Sequence, residues 1–327
     1  MWKIWIAAVG IAVGTIGCHP RQHSISKNTG ATDTEVARSP VPLFDAAHAY
    51  RLIEQQIAFG PRAPGLPGHD SCRRFLRQFL TQYADTVFEQ PFSQQVYGVE
   101  LRLTNIGASF RTELPVRVLL CAHWDTRPYA DEELEPRNQR VPILGANDGG
   151  SGVAVLLELA RILSQHPPPI GVDILLLDGE DYGKAGDMEH FCLGSRYAAH
   201  HYPFPILPRW VVVVDLVGDR EAWLPWEEYS WRSAPELLQV LWEIGAKHAP
   251  SVFRKEMVAP VFDDHVPFIQ AGFRAIVIID AELVGNRSPN PRRRYWHTLR
   301  DTPQNISQGT LRAVGQTLVE WLYKAAP

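Results

Sequence analysis

The sequence predicts an α/β fold: a three-layer sandwich with a central mixed, mostly parallel twisted sheet flanked by helices. Two observations carry this prediction. Short apolar runs at residues 116–122, 172–177, 210–216 and 274–279 read as central strands. Around them, residues 43–58, 71–83, 151–165, 234–248 and 308–323 repeat apolar side chains at roughly helical spacing. Strands alternating with amphipathic helices pack as layers around a mostly parallel sheet.

At 327 residues and 45% hydrophobic, the chain can bury one large core, so a single folded domain over residues 43–327 is expected. A formal charge of −4 gives no general pull toward nucleic acid. The basic run Arg292 to Arg294 reads as a solvated loop. Residues 130–142, 222–231 and 281–295 read as insertions without period, of the sort that border active sites.

The chain starts Met1-Trp2-Lys3 and continues with an apolar stretch to Gly17, too short to cross a bilayer as a helix. It reads as an export signal. Thr15-Ile16-Gly17-Cys18 resembles a bacterial lipobox, with Thr15 where that motif usually has Leu. Residues 1–18 are therefore expected to be a lipoprotein-type leader. Lipid on Cys18 would anchor the protein to a membrane of the bacterial envelope, facing the periplasm. Residues 19–42 are polar and lack a sustained apolar period, so they read as a flexible tether. Cys72, Cys121 and Cys192 would then remain, an odd number that fits small buried hydrophobes better than a disulfide framework.

The acidic residues fall in a pattern. His123-Trp124-Asp125, Asn147-Asp148, Glu180-Asp181 and Asp215 each sit at the carboxyl end of an apolar run or in the loop after it. Those ends converge in open α/β sheets. Asp263-Asp264-His265 and Trp296-His297 add carboxylates and imidazoles, giving the mixed nitrogen and oxygen set that zinc favours. Each group alone has a plain structural explanation, such as a helix cap. Together they point to a metallohydrolase-like site.

The ordered segments Ala122-His123-Trp124-Asp125, Gly145-Ala146-Asn147-Asp148, Leu177-Asp178-Gly179-Glu180-Asp181, Asp263-Asp264-His265-Val266-Pro267-Phe268 and Trp296-His297-Thr298 resemble the motifs of M28 zinc enzymes. Within that family the chain is most similar to bacterial glutaminyl cyclases. Asp263 stands before the Asp-His-x-Pro-Phe stretch, where aminopeptidases more often carry Ser, and Trp296 precedes His297. Residues 191–197 and the Phe59-Gly60-Pro61-Arg62 stretch are similar to cyclase segments as well.

The resemblance implies a zinc-aminopeptidase-like fold and one zinc held by Asp148, Asp181 and His297. It implies Glu180 as proton shuttle, Asp215 and Asp263 as a proton-sharing pair, and peptide or protein N-termini as substrates. Trp296 would line the glutamine pocket, with Phe262 and Phe191 as weaker candidates for the same lining. His123 corresponds to a ligand of a second metal in dizinc aminopeptidases, and Asp125 would support it or the adjoining loop. The alternative is an exported dizinc aminopeptidase. Two departures stand out: Val277 where animal cyclases carry a histidine near the pocket, and Gly186 where they carry a tryptophan.

Overall fold

The computed structural model describes residues 41–326. The proposed leader, with Cys18, and the tether up to residue 40 lie outside the described residues. Val41 and Pro42 already meet the domain: Pro42 accepts a hydrogen bond at its carbonyl from Gln316 Nε2 at 3.0 Å.

Helix α1 (Ala46–Ile57) starts where the Asp45 carboxylate accepts from the His48 amide at 2.9 Å. Helix α2 (Pro67–Thr81) carries proline in its first turn, where the missing N–H costs nothing. A long hairpin follows, β1 (Thr86–Val96) and β2 (Val99–Phe110), with its turn at Tyr97-Gly98. Then come β3 (Arg117–His123), α3 (Gly150–Gln165), β4 (Gly171–Leu177), α4 (Leu193–His200) and β5 (Trp210–Asp215). The chain closes with β6 (Leu224–Glu227), α5 (Glu228–Ser233), α6 (Pro235–His248), β7 (Phe253–Val258), α7 (His265–Gln270), β8 (Ala275–Ile279) and α8 (Gln308–Glu320).

The main sheet runs β1-β2-β4-β3-β5-β8. Strands β4, β3, β5 and β8 are mutually parallel, and the hairpin adds two antiparallel strands at one side. The alternation of side chains along each central strand builds the two outer layers. Val118, Leu120, Ile174, Leu176, Val212, Val214 and Ile276 join the core formed with α1, α2, α3, α6 and α8. Leu119, Cys121, Leu175, Val211, Val213 and Val277 face the other side, toward α4 and α7. Helix α3 is buried almost all round, which explains its near-continuous run from Val153 to Leu163.

Three sequence readings need correction. The hairpin strands were not foreseen, because β1 alternates polar and half-buried residues and carries Pro91, as an edge strand can. Residues 222–231 are no structureless insertion: they hold β6, which pairs in parallel with β7, and the start of α5, whose first amides are capped by the Glu227 carboxylate. The run 292–294 is no solvated loop either. Arg293 is buried and ion-paired with Asp219, Asp280 and Glu282, while Arg292 reaches Asp219 and Glu221. Cys72, Cys121 and Cys192 are free and buried.

Candidate active site

Because β3, β4, β5 and β8 are parallel, their carboxyl ends lie along one edge, and the chemistry-bearing residues gather there. His123 ends β3, Asp178 to Asp181 follow β4, and Asp215 ends β5. Asp148 stands just before α3, and Asp263 and Asp264 just before α7. His297 arrives from the long segment after β8 with a left-handed backbone, φ 54°. Cys192 and Leu216 next to the cleft share that conformation, at 57° and 52°. Side chains other than glycine take it only where the surroundings force it, and such residues cluster at functional sites.

Two groups of donor atoms form, each with all atoms within 4.8 Å of one another: Asp148, Asp181 and His297, and His123, Asp148 and Asp215. In the first, His297 Nε2 lies 3.3 Å from Asp181 Oδ1 and 3.7 Å from Asp148 Oδ2. In the second, His123 Nε2 lies 3.2 Å from Asp148 Oδ1 and 3.1 Å from Asp215 Oδ1. Asp148 belongs to both. The donor chemistry, one imidazole with two carboxylates, is that of catalytic zinc sites. Asp181 Oδ2 is buried without any hydrogen-bond partner, a lone pair whose burial a cation would justify. The residues therefore fit zinc.

The loops bearing these ligands are tied together from behind. Asp125 accepts the amides of Glu180 and Asp181 at 3.1 and 3.3 Å, and its Oδ1 lies 3.6 Å from His123 Nδ1, so it supports both the imidazole and the acidic loop. Asp301 accepts the amides of Asn147 and Asp148 at 2.9 and 3.0 Å. Buried Arg62 reaches the carbonyls of Trp124, Leu144 and Gly145, joining the loop after β3 to the turn before α3. That turn needs Gly149, since a Cβ there would sit 2.2 Å from the His123 carbonyl oxygen.

A narrow cleft of about 60 Å³ opens onto the first donor group. Glu180, Asp215 and Asp263 line it, with Trp296, Phe262 and Phe191 as its apolar walls. Trp296 stacks on the His297 ring with centroids 3.3 Å apart, and Arg196 lies over the Phe262 ring at 5.4 Å. Outside the cleft, a wider cavity of about 440 Å³ shares Phe191, Phe262 and Trp296 with it.

Burial raises most acids of the cleft above the usual carboxylate range, Asp181 among them, to about 7 against the pull of His297 and Arg127. Burial, with Asp181, Asp264 and Asp263 nearby, pushes Glu180 well above the usual carboxylate range against the pull of His123. Burial and the Asp215 charge push Asp263 up to about 7. Burial also raises Asp215, which His123 partly offsets. Asp264, which accepts from Ser195 Oγ at 2.6 Å, is pushed up to about 7 by burial and by Asp263. Asp148 goes the other way: burial opposes ionisation, but hydrogen bonding and charge from His123 hold it below the usual range.

The structure thus brings together all ten residues read from the sequence as site candidates: Asp148, Asp181 and His297, Glu180, Asp215 and Asp263, Trp296 and Phe262, and His123 with Asp125. It also shows two that the sequence reading missed. Arg127 donates from Nη1 to Asp181 Oδ1 at 2.7 Å and from Nε and Nη2 to the two oxygens of Asp131 at 2.6 Å each. Asp131 Oδ1 in turn lies 3.5 Å from His297 Nδ1. Arg127 and Asp131 stand four apart directly after His123-Trp124-Asp125, and that spacing was the available signal. Of the two departures, Val277 is buried mid-strand in β8 and does not line the cleft; Ile279 does. Gly186 lies on the rim of the outer cavity.

Comparison with known proteins bears on this geometry. Residues 105–322 match the model of peptidase family M28. A glutaminyl-peptide cyclotransferase from Gloydius blomhoffii is 26% identical over 76% of this chain and 73% of its own length. Among solved structures, a glutaminyl cyclase from Bacteroides thetaiotaomicron is 36% identical, with TM-score 0.82, over 87% of this chain and 99% of its own. A Zn-dependent exopeptidase from Parabacteroides distasonis is 35% identical, with TM-score 0.83, over 87% of this chain and 100% of its own. Family and neighbour both point to zinc as the metal of this donor set. The chain belongs to peptidase family M28.

Proposed function

We propose that the chain cyclises the N-terminal glutamine of peptides and proteins to pyroglutamate, releasing ammonia. One observation carries the reading: a cleft for a single side chain sets three acids with raised pKa, Glu180, Asp215 and Asp263, beside the Asp148–Asp181–His297 donor set. The cyclotransferase and cyclase relatives support it.

Asp148, Asp181 and His297 would hold the zinc, which would supply Lewis acidity toward the γ-carbonyl oxygen of the glutamine. Glu180 takes a proton from the substrate's α-amine as that amine attacks the γ-carbon, and returns one to the departing nitrogen. No enzyme nucleophile is needed, because the attacking and attacked groups belong to one residue. The protein chiefly holds the ring-closing geometry, which removes much of the entropic barrier. Asp215 and Asp263 share a proton and orient the amine and the leaving group. Trp296 and Phe262 wall the side-chain pocket and keep bulk water away from the reacting carbon.

We read the site as holding one zinc. In the second donor group Asp215 also lines the cleft beside Glu180 and Asp263, where burial raises all three acids. The dizinc aminopeptidase reading draws on that same second group and on the exopeptidase neighbour. Incubating the purified domain with a glutaminyl and a leucyl peptide separates the two readings. Ammonia release, with a product lighter by one ammonia and one zinc per chain, supports cyclisation. Free N-terminal amino acid with two zincs per chain overturns it.

The leader supports export, lipid attachment at Cys18 and a location in the bacterial cell envelope, facing the periplasm. Among the described residues no helix is long and apolar enough to cross a membrane. Fatty-acid labelling of the full chain that disappears in Cys18→Ala, with the protein moving to the soluble fraction, is the expected result. Unlabelled wild-type chain overturns the anchor.

A further inference from the structure

Four side chains close a ring beside the cleft. Asp181 Oδ1 accepts from Arg127 Nη1 at 2.7 Å, and Arg127 forks onto both oxygens of Asp131 at 2.6 Å each. Asp131 Oδ1 faces His297 Nδ1 at 3.5 Å, and His297 Nε2 returns to Asp181 Oδ1 at 3.3 Å. Arg127 is buried, 1% exposed at its side chain, whereas Asp131 is 30% exposed. The guanidinium also lies 5.4 Å from the centre of the Phe191 ring, which covers it. Asp181 Oδ2 is left as the one buried ligand atom of this ring without a partner.

We infer that Arg127 and Asp131 are positioning residues for the metal: together they fix which atoms of Asp181 and His297 are offered to it. Arg127 engages Asp181 Oδ1 and so leaves Oδ2 as the oxygen free to ligate. The Asp131 charge, 3.5 Å from His297 Nδ1, favours the proton on that nitrogen, which leaves the Nε2 lone pair facing Asp148 and Asp181. Partners behind metal ligands set ring tautomer and orientation in this way. Arginine suits the place because its planar fork binds one carboxylate with two nitrogens while a third nitrogen reaches the other, and lysine has no such geometry. The signs are also distinct. Removing Asp131 takes away both an orienting acceptor and a negative charge near the cation, so both effects weaken binding. Replacing Arg127 by lysine keeps the charge and removes only the geometry.

The inference rests on the zinc reading of the Asp148–Asp181–His297 group, and zinc affinity measured by chelator competition tests it on the metal-depleted protein. Asp131→Asn is expected to weaken zinc binding roughly 10- to 100-fold, and Arg127→Lys to weaken it less. The cobalt-substituted protein should show a shifted visible absorption in both variants, a signature of altered ligand geometry that a loss of stability alone does not produce. The melting temperature of metal-free Asp131→Asn measures separately what is lost by weakening its pair with buried Arg127. Should the buried Arg127 variant fail to fold, the double variant R127M/D131L removes both charges together and is expected to bind zinc as weakly as Asp131→Asn. Zinc affinity within twofold of the parent and an unchanged cobalt spectrum in Asp131→Asn overturn the inference. If His297→Ala also retains parental zinc affinity, the zinc reading itself is what fails.

Discussion

The two sides of the cleft differ in what meets their acids: two acids share an arginine on one side, and four crowd together without one on the other. On one side Asp181 and Asp131 are met by Arg127 and by the His297 ring, and charge and hydrogen bonds from these partners hold Asp131 below the usual carboxylate range despite its partial burial. Burial alone would lower Arg127, yet Asp181 and Asp131 keep it charged. On the other side Glu180, Asp215, Asp263 and Asp264 crowd together with no arginine or lysine among their recorded partners, and burial drives all four upward. Asp131 is held ionised, whereas burial raises Asp181 to about 7 against the pull of His297 and Arg127, so pairing fixes the geometry of this side, which suits holding a cation. Buried acids without an arginine or lysine beside them bind protons more tightly than usual, and those raised to about 7 can exchange them near neutral pH, which suits moving protons. Asp148 stands between the two sides and serves both donor groups.

The contrast breaks most visibly at Glu180. Glu180→Gln keeps the shape of the cleft and removes its proton carrier, so kcat should fall by about 10²- to 10⁴-fold with zinc content unchanged. Steady-state kinetics beside metal analysis checks this, and zinc lost with activity would mean that the two sides are not separate. Asp263→Asn should cost less, roughly 10²-fold in kcat, because Asp215 remains to hold one proton of the pair.

Trp296 belongs to neither half, since it lies on His297 and walls the pocket. Trp296→Ala should raise KM about tenfold with a smaller change in kcat, the mark of lost substrate binding. A kcat loss at unchanged KM would move Trp296 into the metal-positioning side.

The smallest effect expected is on the stability of metal-free protein. Asp263, Asp264 and Asp301 are held at about 7 in the folded state by burial, above their value of 3.8 in the unfolded chain. The folded state therefore binds more protons between those values, and stability falls as pH rises through the window, with the loss complete above about 7. Raised His123, whose carboxylate neighbours outweigh its burial, acts in the same direction. Depressed Asp148 opposes it. Calorimetry should give a melting temperature lower by at least about 5 °C at pH 8 than at pH 5.5, and added zinc should recover most at high pH, where its ligands are deprotonated. A melting temperature that rises across this range would contradict the picture of acids raised by burial.

The proton-moving side was the more legible of the two in the sequence. Glu180 and Asp215 follow the ends of continuous apolar runs, and parallel strands gather such ends without further information. Asp263 was visible through the motif before α7. On the other side Asp181 and His297 were read from their motifs, but their partners depended on contacts that periodicity does not report. Arg127 and Asp131 lie in a segment without apolar pattern, and only their i, i+4 spacing hinted at a pair. Arg293 shows the same limit: a run of three arginines looks solvated until the fold brings Asp219, Asp280 and Glu282 around one of them. The β1–β2 hairpin was hidden because edge strands bury little and so show no apolar run, whereas β3, β4 and β5, buried on both faces, could be read directly.

The division of labour is tested most directly by counting zinc and following ammonia release in parallel on Asp263→Asn and Asp148→Asn with a glutaminyl peptide. Asp263→Asn should retain the parental zinc content and lose most of its turnover, while Asp148→Asn should lose both. Zinc lost from Asp263→Asn, or full turnover in it, would contradict the account.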